Sequence, residues 1–450
     1  MQKLLGSLKR LEKYGIAILL LAIPLYPKFP FARIPGTYVS VRLEDFLIAA
    51  LALITFILYF KKLKGIFKNG LERAILLFIF AGLVSLISGL LVTQTVVFHI
   101  GLLHWLRRIE YFIPFFIGLL YFKDKKSDDL EFFIKTLMIG VIIIFLYGLG
   151  QKYLNWPVII TQNEEYSKGI ALRWIPGSHI NSTFAGHYDL ATFLVLLLPI
   201  IISFYFLLKG LWTKISLAMV IFSGLWLLAN AVSRISVVSY LLATTVSLFV
   251  LKKYKGILII IFVSLLVFAF SSSLLARYTQ FVKVLYQRLS RIEVFAQELP
   301  RRKENTLTVP KPASIFEDRS ISIRLNVEWP RAIRAFSKNP ILGTGYSSIT
   351  LATDNDFLRL LGEVGIVGFS AFLLIFANLG KLIARGLKIS GSLGNVTKGF
   401  VVAYSGALAG ILLNALFIDI FEASKFAIIF WLITGMYVSL VRNYKDEQII

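Results

Sequence analysis

Cysteine is absent from the 450 residues, which excludes disulfides and thiolate metal sites and leaves the redox compartment unmarked. Acidic residues are scarce: 25 Asp and Glu stand against 48 Lys and Arg, a net charge of +23. No glycine-rich nucleotide loop, soluble-type repeat or coiled coil is present, and no stretch remains for a separate soluble domain. Apolar sequence is what fills the chain, at 57% against about 45–50% in soluble domains. Runs of roughly 20 apolar residues, long enough to cross a hydrocarbon core, recur from end to end. The expectation is an all-α integral membrane protein forming one polytopic domain over 1–450. In a soluble protein the positive charge would point to nucleic acid. Here it points to membrane lipids with anionic headgroups, or to a phosphorylated substrate, and no nucleic-acid partner is expected.

The apolar runs predict about twelve transmembrane helices, near 15–27, 43–60, 73–93, 106–122, 132–150, 189–208, 212–230, 234–251, 256–275, 356–380, 399–420 and 424–441. The basic N-terminal start resembles a signal peptide, but no small-residue cleavage site follows it, so a retained first span is expected. Lys and Arg of the short loops fix sidedness. Lys9, Arg10 and Lys13, then Lys61 and Lys62, Lys123 and Lys126, Lys209 and Lys214, Lys252 and Lys253, Lys381 and Arg385, and finally Arg442 all fall on one side if both termini are cytoplasmic. The outer side then receives connections near 28–42 and 151–188 and a large one over 276–355. That large loop holds thirteen Lys and Arg against seven Asp and Glu, an excess suited to an anionic ligand or to anionic headgroups. Residues 301–322 read as an exposed linker, and "IRLNVEWPRAIRAFS" from Ile323 to Ser337 as an amphipathic helix near the membrane surface.

Charges within or at the lip of apolar spans are costly and are candidates for function. Arg234 opens a helix after a tight turn, where a guanidinium near free amides can bind phosphate oxygens; a snorkelling interfacial arginine is the structural alternative. Arg107, Arg108 and Glu110 lie at the outer end of the fourth span and fit a structural ion pair. His179 and His187, eight apart, are a weak metal signal and a better one for hydrogen bonding to sugar or phosphate. Glu44 and Asp45 open the second span, where a charge cap explains them. Glu422 and Lys425, three apart, fit a helical ion pair.

The stretch "RLNVEWPRAIRAFSKNPILGTGYSSI", followed by "DNDFLRLLGEVGIVGFSAFLLIF", resembles the O-antigen ligase and O-antigen polymerase family of bacterial envelope proteins. Its elements are Arg324, Trp329, a P-x-x-G-x-G turn at Pro340, Gly343 and Gly345, a polar pair, and an acidic-x-Gly-x-x-Gly pattern at Glu363, Gly365 and Gly368. Ser233-Arg234, "GSHINSTFAGHYDLATFLVLLLP" and "LFIDIFEASKFAIIFWLITG" add to the likeness. The resemblance implies a type C-like glycosyltransferase in the inner membrane. Such an enzyme moves a glycan from undecaprenyl pyrophosphate to a glycan or lipid A core acceptor on the outer face, without metal or other cofactor. By that resemblance Arg234 and Arg324 bind pyrophosphate, with Arg108 a weaker candidate, and Asn355 hydrogen-bonds sugar. The family's base is a histidine followed by asparagine. At that position, four before Leu358, this chain has Asp354, a weak base unless burial raises its pKa. Asp356 and His187 are its rivals. A D-x-D metal reading of Asp354-Asn355-Asp356 fits poorly on an outer face where nucleotide sugars are absent. A flippase for lipid-linked glycan, or an inactive scaffold, are the competing classes. Matching halves with broken midplane helices, the mark of many transporters, are not evident.

Overall fold

The structure, a computed structural model, describes residues 2–27, 30–34, 40–124, 127–158, 172–175, 178–269 and 322–446. Most of the large loop expected over 276–355, with all but the last residue of its linker at 301–322, and the end of the ninth expected span lie outside the described residues. A helix occupies each of the twelve expected positions: α1 (Gln2–Leu25), α2 (Leu43–Ile66), α3 (Gly70–Leu91), α4 (Phe98–Tyr121), α5 (Ser127–Tyr153), α6 (His187–Leu207), α7 (Leu211–Ala231), α8 (Arg234–Val250), α9 (Tyr254–Ala269), α11 (Asp356–Ile389), α12 (Asn395–Ala415) and α13 (Ser424–Asp446). Eight of them are long and apolar enough to cross a membrane, while α8 and α9 are apolar but shorter. The first half of α1 carries Lys3, Lys9, Arg10, Glu12 and Lys13, and α4 carries Arg107, Arg108 and Glu110. Short hairpins of β1 (Pro30–Arg33) with β2 (Ser40–Arg42), and of β3 (Pro157–Val158) with β4 (Leu172–Arg173), stand in the first two expected outer connections.

Burial sorts the helices into a centre and a rim. The most apolar stretch of α13 is 94% buried and that of α6 is 83% buried, against 28% for α2. A helix apolar on every side is stable only where protein or lipid surrounds it; α6 and α13 are surrounded by protein and α2 is left to face lipid. Around the centre, α13 packs on α4, α12 on α6 and α8, and α11 on α3. Small residues permit the closest approach, as expected where apolar burial no longer distinguishes lipid from protein. A Cβ at Gly406 or Gly410 of α12 would lie 2.4 Å from a backbone carbonyl of α8.

The expected amphipathic helix is present as a wide π-helical turn, Arg324–Glu328, that runs into α10 (Trp329–Lys338). The Trp329 amide bonds five residues back to Arg324 O, just before Pro330, which has no amide to offer. Ala332 of α10 is fully buried against Gly362 of α11, whose absent side chain makes room for Ala332 O and Ala335.

The two glycine motifs interlock. Within α11 the chain leaves helical geometry at Gly365, with φ 63° and ψ −172°, a region essentially restricted to glycine. The break frees carbonyls and amides, and the turn after α10 satisfies them. Thr344 N donates to Gly362 O at 3.0 Å and Gly345 N to Glu363 O at 2.8 Å, while Ile366 N donates to Pro340 O at 2.8 Å and Val367 N to Ile341 O at 3.2 Å. Gly343, at φ 76°, approaches so closely that a Cβ would lie 2.4 Å from Glu363 O. Helix α3 completes the clamp: Ser85 Oγ donates to Glu363 O at 2.6 Å, and Asn339 Nδ2 donates to Ser88 Oγ at 2.8 Å. The loop ahead of the polar triplet is thus bolted to two helices.

One expected pair is corrected. Glu422 pairs with Arg108 and Arg359, whereas the fully buried Lys425 donates to Thr183 O at 2.8 Å and Pro24 O at 3.1 Å. Glu422 lies in the turn before α13 and Lys425 in the first turn of the helix, so spacing by three does not bring them together.

Candidate active site

The triplet Asp354-Asn355-Asp356 divides into three separate tasks. Asn355 is extended and caps α11, its Oδ1 accepting from Leu358 N at 3.0 Å, which satisfies one of the amides a helix start leaves open. Asp356 is buried and accepts from Ile420 N at 2.8 Å and Phe421 N at 3.2 Å, tying α11 to the turn between α12 and α13. Asp354 sits at φ 50°, a left-handed conformation that Asp, Asn and His tolerate better than other side-chain-bearing residues. That shared tolerance gives a physical reason why aspartate can stand where the family pattern has histidine. Because Asp354 and Asp356 turn to different partners, they do not form a D-x-D pair.

Asp354 meets the wide turn from the large loop. Arg324 Nε and Nη2 both donate to Asp354 Oδ2, at 3.0 and 2.7 Å, and Nη2 reaches Tyr188 Oη at 3.5 Å. Nη1 of Arg324 is uncommitted among the described residues. Tyr188 lies one residue into α6, its ring 4.0 Å from that of His187, which stacks on His179 at 3.7 Å. The expected residues His179, His187, Arg324 and Asp354 are thereby joined in one chain of contacts, with Tyr188 as the link. Burial raises the pKa of Asp354 above the ordinary carboxylate range; Arg324 opposes this and the charge of Asp419 adds to it. In the same turn as Arg324, burial and the charge of Asp354 push Glu328 up to about 7.

Asp419, in the turn before α13, straddles Asp354. Its Oδ2 accepts from Thr353 N at 2.8 Å and its Oδ1 from Asn355 N at 2.9 Å, so the backbone on both sides of Asp354 is fixed. Arg359, one turn into α11, holds Asp419 at 3.1 Å and also reaches Glu422 and Glu363. Arg108 belongs to this supporting layer, giving Nη1 to Phe421 O at 2.9 Å and Nη2 to Glu422. Arg107 pairs with Glu110 and with Asp45, the structural ion pair expected at this end of α4. Arg234 opens α8 directly after Ser233. Ser233 and Ser236 bond to each other, Ser236 to Asn414 of α12, and Asn414 to Thr192 of α6, so polar side chains anchor the start of α8 against the helix that carries Tyr188. Among the described residues no three His, Asp or Glu side chains cluster with metal-ligand geometry.

Residues 217–373 match the family model described as O-Antigen ligase. Over that stretch the chain is similar to the O-antigen ligase family. No curated protein matches it. The O-antigen ligase match runs from α7 into α11 and contains Arg234, Arg324, Asp354, Asn355, Asp356 and the interlocked glycines. The site is completed from outside the match: Tyr188, His187 and His179 come from the approach to α6, and Asp419 from the turn before α13. Sequence reasoning missed Tyr188, Glu328, Arg359 and Asp419. All four stand in stretches that carry the family likeness, Asp419 beside Glu422 in "LFIDIFEASK", but no spacing or charge pattern singled them out.

Proposed function

We propose that this protein is an O-antigen ligase family member that transfers a glycan from undecaprenyl pyrophosphate to a sugar hydroxyl on the outer face of the bacterial inner membrane, as a metal-independent inverting glycosyltransferase of the polymerase or ligase type. In this reading all twelve helices cross the membrane, both termini are cytoplasmic, and the acceptor is a second lipid-linked glycan or a lipid A core. The observation that carries it is the Arg324–Asp354 contact, which joins the basic outer loop to the polar triplet at the start of α11.

The chemistry requires stabilisation of the negative charge that grows on the departing pyrophosphate, a task for fixed cations in a poorly hydrated site. Arg324 is held by Nε and Nη2, so its Nη1 is left to donate to a phosphate oxygen while Asp354 fixes the plane of the guanidinium. Arg234, at the N-terminus of α8, adds a second cation backed by the helix dipole. Asp354 orients Arg324 and the acceptor. Asn355 and Asp356 set the start of α11, and Arg108 supports the turn beneath them. Tyr188 and the stacked His187 and His179 offer ring faces and polar atoms to sugar.

Transfer from labelled undecaprenyl-pyrophosphate-linked glycan, with protein in vesicles, tests this reading. Arg234→Ala and Asp354→Ala are each expected to lose about 100-fold or more in rate. Near-wild-type transfer by both variants would sink the site assignment. Movement of intact carrier across the bilayer without transfer of label would favour a flippase instead.

A further inference from the structure

An inverting transfer also needs a destination for the acceptor's proton, and Asp354 is poorly placed to provide one. Both hydrogen bonds from Arg324 fall on its Oδ2, so this oxygen is already committed and the guanidinium opposes the rise in basicity that burial gives the carboxylate. A second carboxyl faces the same charges. Glu328 lies four residues after Arg324 in the wide turn, a spacing that places the two side chains on nearly the same face. Its surroundings include Asp354 and Asp419 as well as Arg324 and Arg331. Its Oε2 is buried and has no hydrogen-bond partner among the described residues, and the same holds for Trp329 Nε1 and Arg331 Nη1. Buried polar atoms are almost always paired. Three unpaired ones within four positions, where the wide turn runs into α10, an acceptor and two donors beside an aromatic ring, form a set complementary to a sugar's hydroxyls and ring face.

The geometry points to Glu328 as the group that takes the proton from the acceptor hydroxyl, with Trp329 and Arg331 holding the acceptor sugar beside it. The inference rests on the transfer reaction proposed above and identifies its catalytic base. The acceptor oxygen forms a bond to the anomeric carbon while the bond from that carbon to the pyrophosphate oxygen breaks. The electron pair leaves on undecaprenyl pyrophosphate, whose charge Arg324 and Arg234 receive. The proton passes to Glu328 Oε2, giving a carboxylic acid that returns the proton to water after the product departs. A base is most effective when its pKa lies near the working pH, and burial together with Asp354 brings Glu328 there, to about 7.

The test is the pH profile of transfer, from pH 5 to 9, with fluorescent undecaprenyl-pyrophosphate-linked glycan extracted from the producing cell as donor. Acceptors are the same glycan unlabelled and, in parallel, lipid A core. Wild-type kcat/KM is expected to rise with pH through a limb near 7. Glu328→Gln is expected to lower kcat by about 100-fold or more, leave the donor KM within about threefold, and abolish that limb. Glu328→Asp should recover part of the rate, and Asp354→Asn should keep the limb despite its lower rate. A Glu328→Gln protein with wild-type kcat, or one that retains the limb, overturns the inference and leaves the transfer reaction standing. So does a limb absent from the wild type, which decides the matter even if a variant fails to fold. Absence of any transfer by the wild-type protein to either acceptor instead overturns the proposed function, and the inference falls with it.

Discussion

Replacing Gly365 with alanine strikes the point where the two glycine motifs lock. A Cβ there would lie 2.4 Å from Ile341 O and 2.5 Å from Gly343 N, both backbone atoms that cannot rotate aside. Holding a non-glycine residue in this part of backbone space costs about 1–3 kcal/mol, and overpacking of this kind adds about 1–3 kcal/mol. If the turn retreats to relieve the clash, four backbone hydrogen bonds between 2.8 and 3.2 Å are lost or stretched, at about 0.5–1.5 kcal/mol each. Either route destabilises by roughly 2–6 kcal/mol, a large share of the about 5–15 kcal/mol that holds a typical fold. Thermal unfolding of purified protein in detergent, followed by tryptophan fluorescence, should show Gly365→Ala melting roughly 2–6 °C below wild type. Transfer should fall well below that temperature, because the turn leads directly to Asp354. Gly380→Ala is the control: it lies in the same helix with nothing within 4 Å of its Cβ position, and alanine favours helix there. A Gly365→Ala protein that melts within about 1 °C of wild type, on the order of the control's own shift, would refute the clamp.

Asp356→Ala removes both acceptors of the Ile420 and Phe421 amides and should cost about 2 kcal/mol or more, at about 1–3 kcal/mol for each buried amide left unsatisfied; thermal unfolding checks this, with Asp356→Asn milder. Glu328 titrates at about 7 instead of 4.5, so the folded state favours its protonated form. Its favourable contribution is present below about pH 4.5 and is lost as pH rises through 7. The charges that face it are Asp354, Asp419, Arg324 and Arg331. Glu328→Gln should therefore melt above wild type at pH 8 by more than it does at pH 5, and an equal difference at both pH values would count against this environment. The chain's lack of cysteine gives a labelling experiment without background. In spheroplasts, a membrane-impermeant maleimide should label Lys303→Cys from outside and Lys253→Cys only after lysis, and the reverse pattern would invert the proposed topology.

Much of the architecture was legible because membrane insertion is dictated locally. An apolar run long enough to cross hydrocarbon reads the same in any context, so a helix stands at each of the twelve expected positions, although α1 (Gln2–Leu25) and α4 (Phe98–Tyr121) begin well before 15 and 106, and among the described residues eight are long and apolar enough to cross a membrane. The amphipathic pattern after Ile323 likewise fixed a surface helix, and the P-x-x-G-x-G and acidic-x-Gly-x-x-Gly spacings marked the turn and the α11 start as special. Their reason for being special was not legible. That Gly343 and Gly365 must both be glycine follows from a contact between segments some twenty residues apart, in which each backbone fills the space a side chain of the other would need. Neighbouring residues also parted company: Arg107 turns to Asp45 and Glu110, while Arg108 turns to Glu422.

By itself the sequence determined the helical membrane class, the positions of the helices and the basic excess over 276–355, and it marked Arg324 and Asp354 as candidates, because hydropathy, charge and turn chemistry act over short stretches. Only the tertiary structure decided which polar groups meet. It set Arg324 on Asp354 thirty positions away, placed Tyr188 beside them, and brought Asp419 across from the far end of the chain to hold the backbone around Asp354. It also left Glu328 half-buried near those charges, its buried Oε2 without a partner among the described residues. Those meetings depend on how helices cross and which faces they bury, a property of the whole bundle that no single stretch encodes.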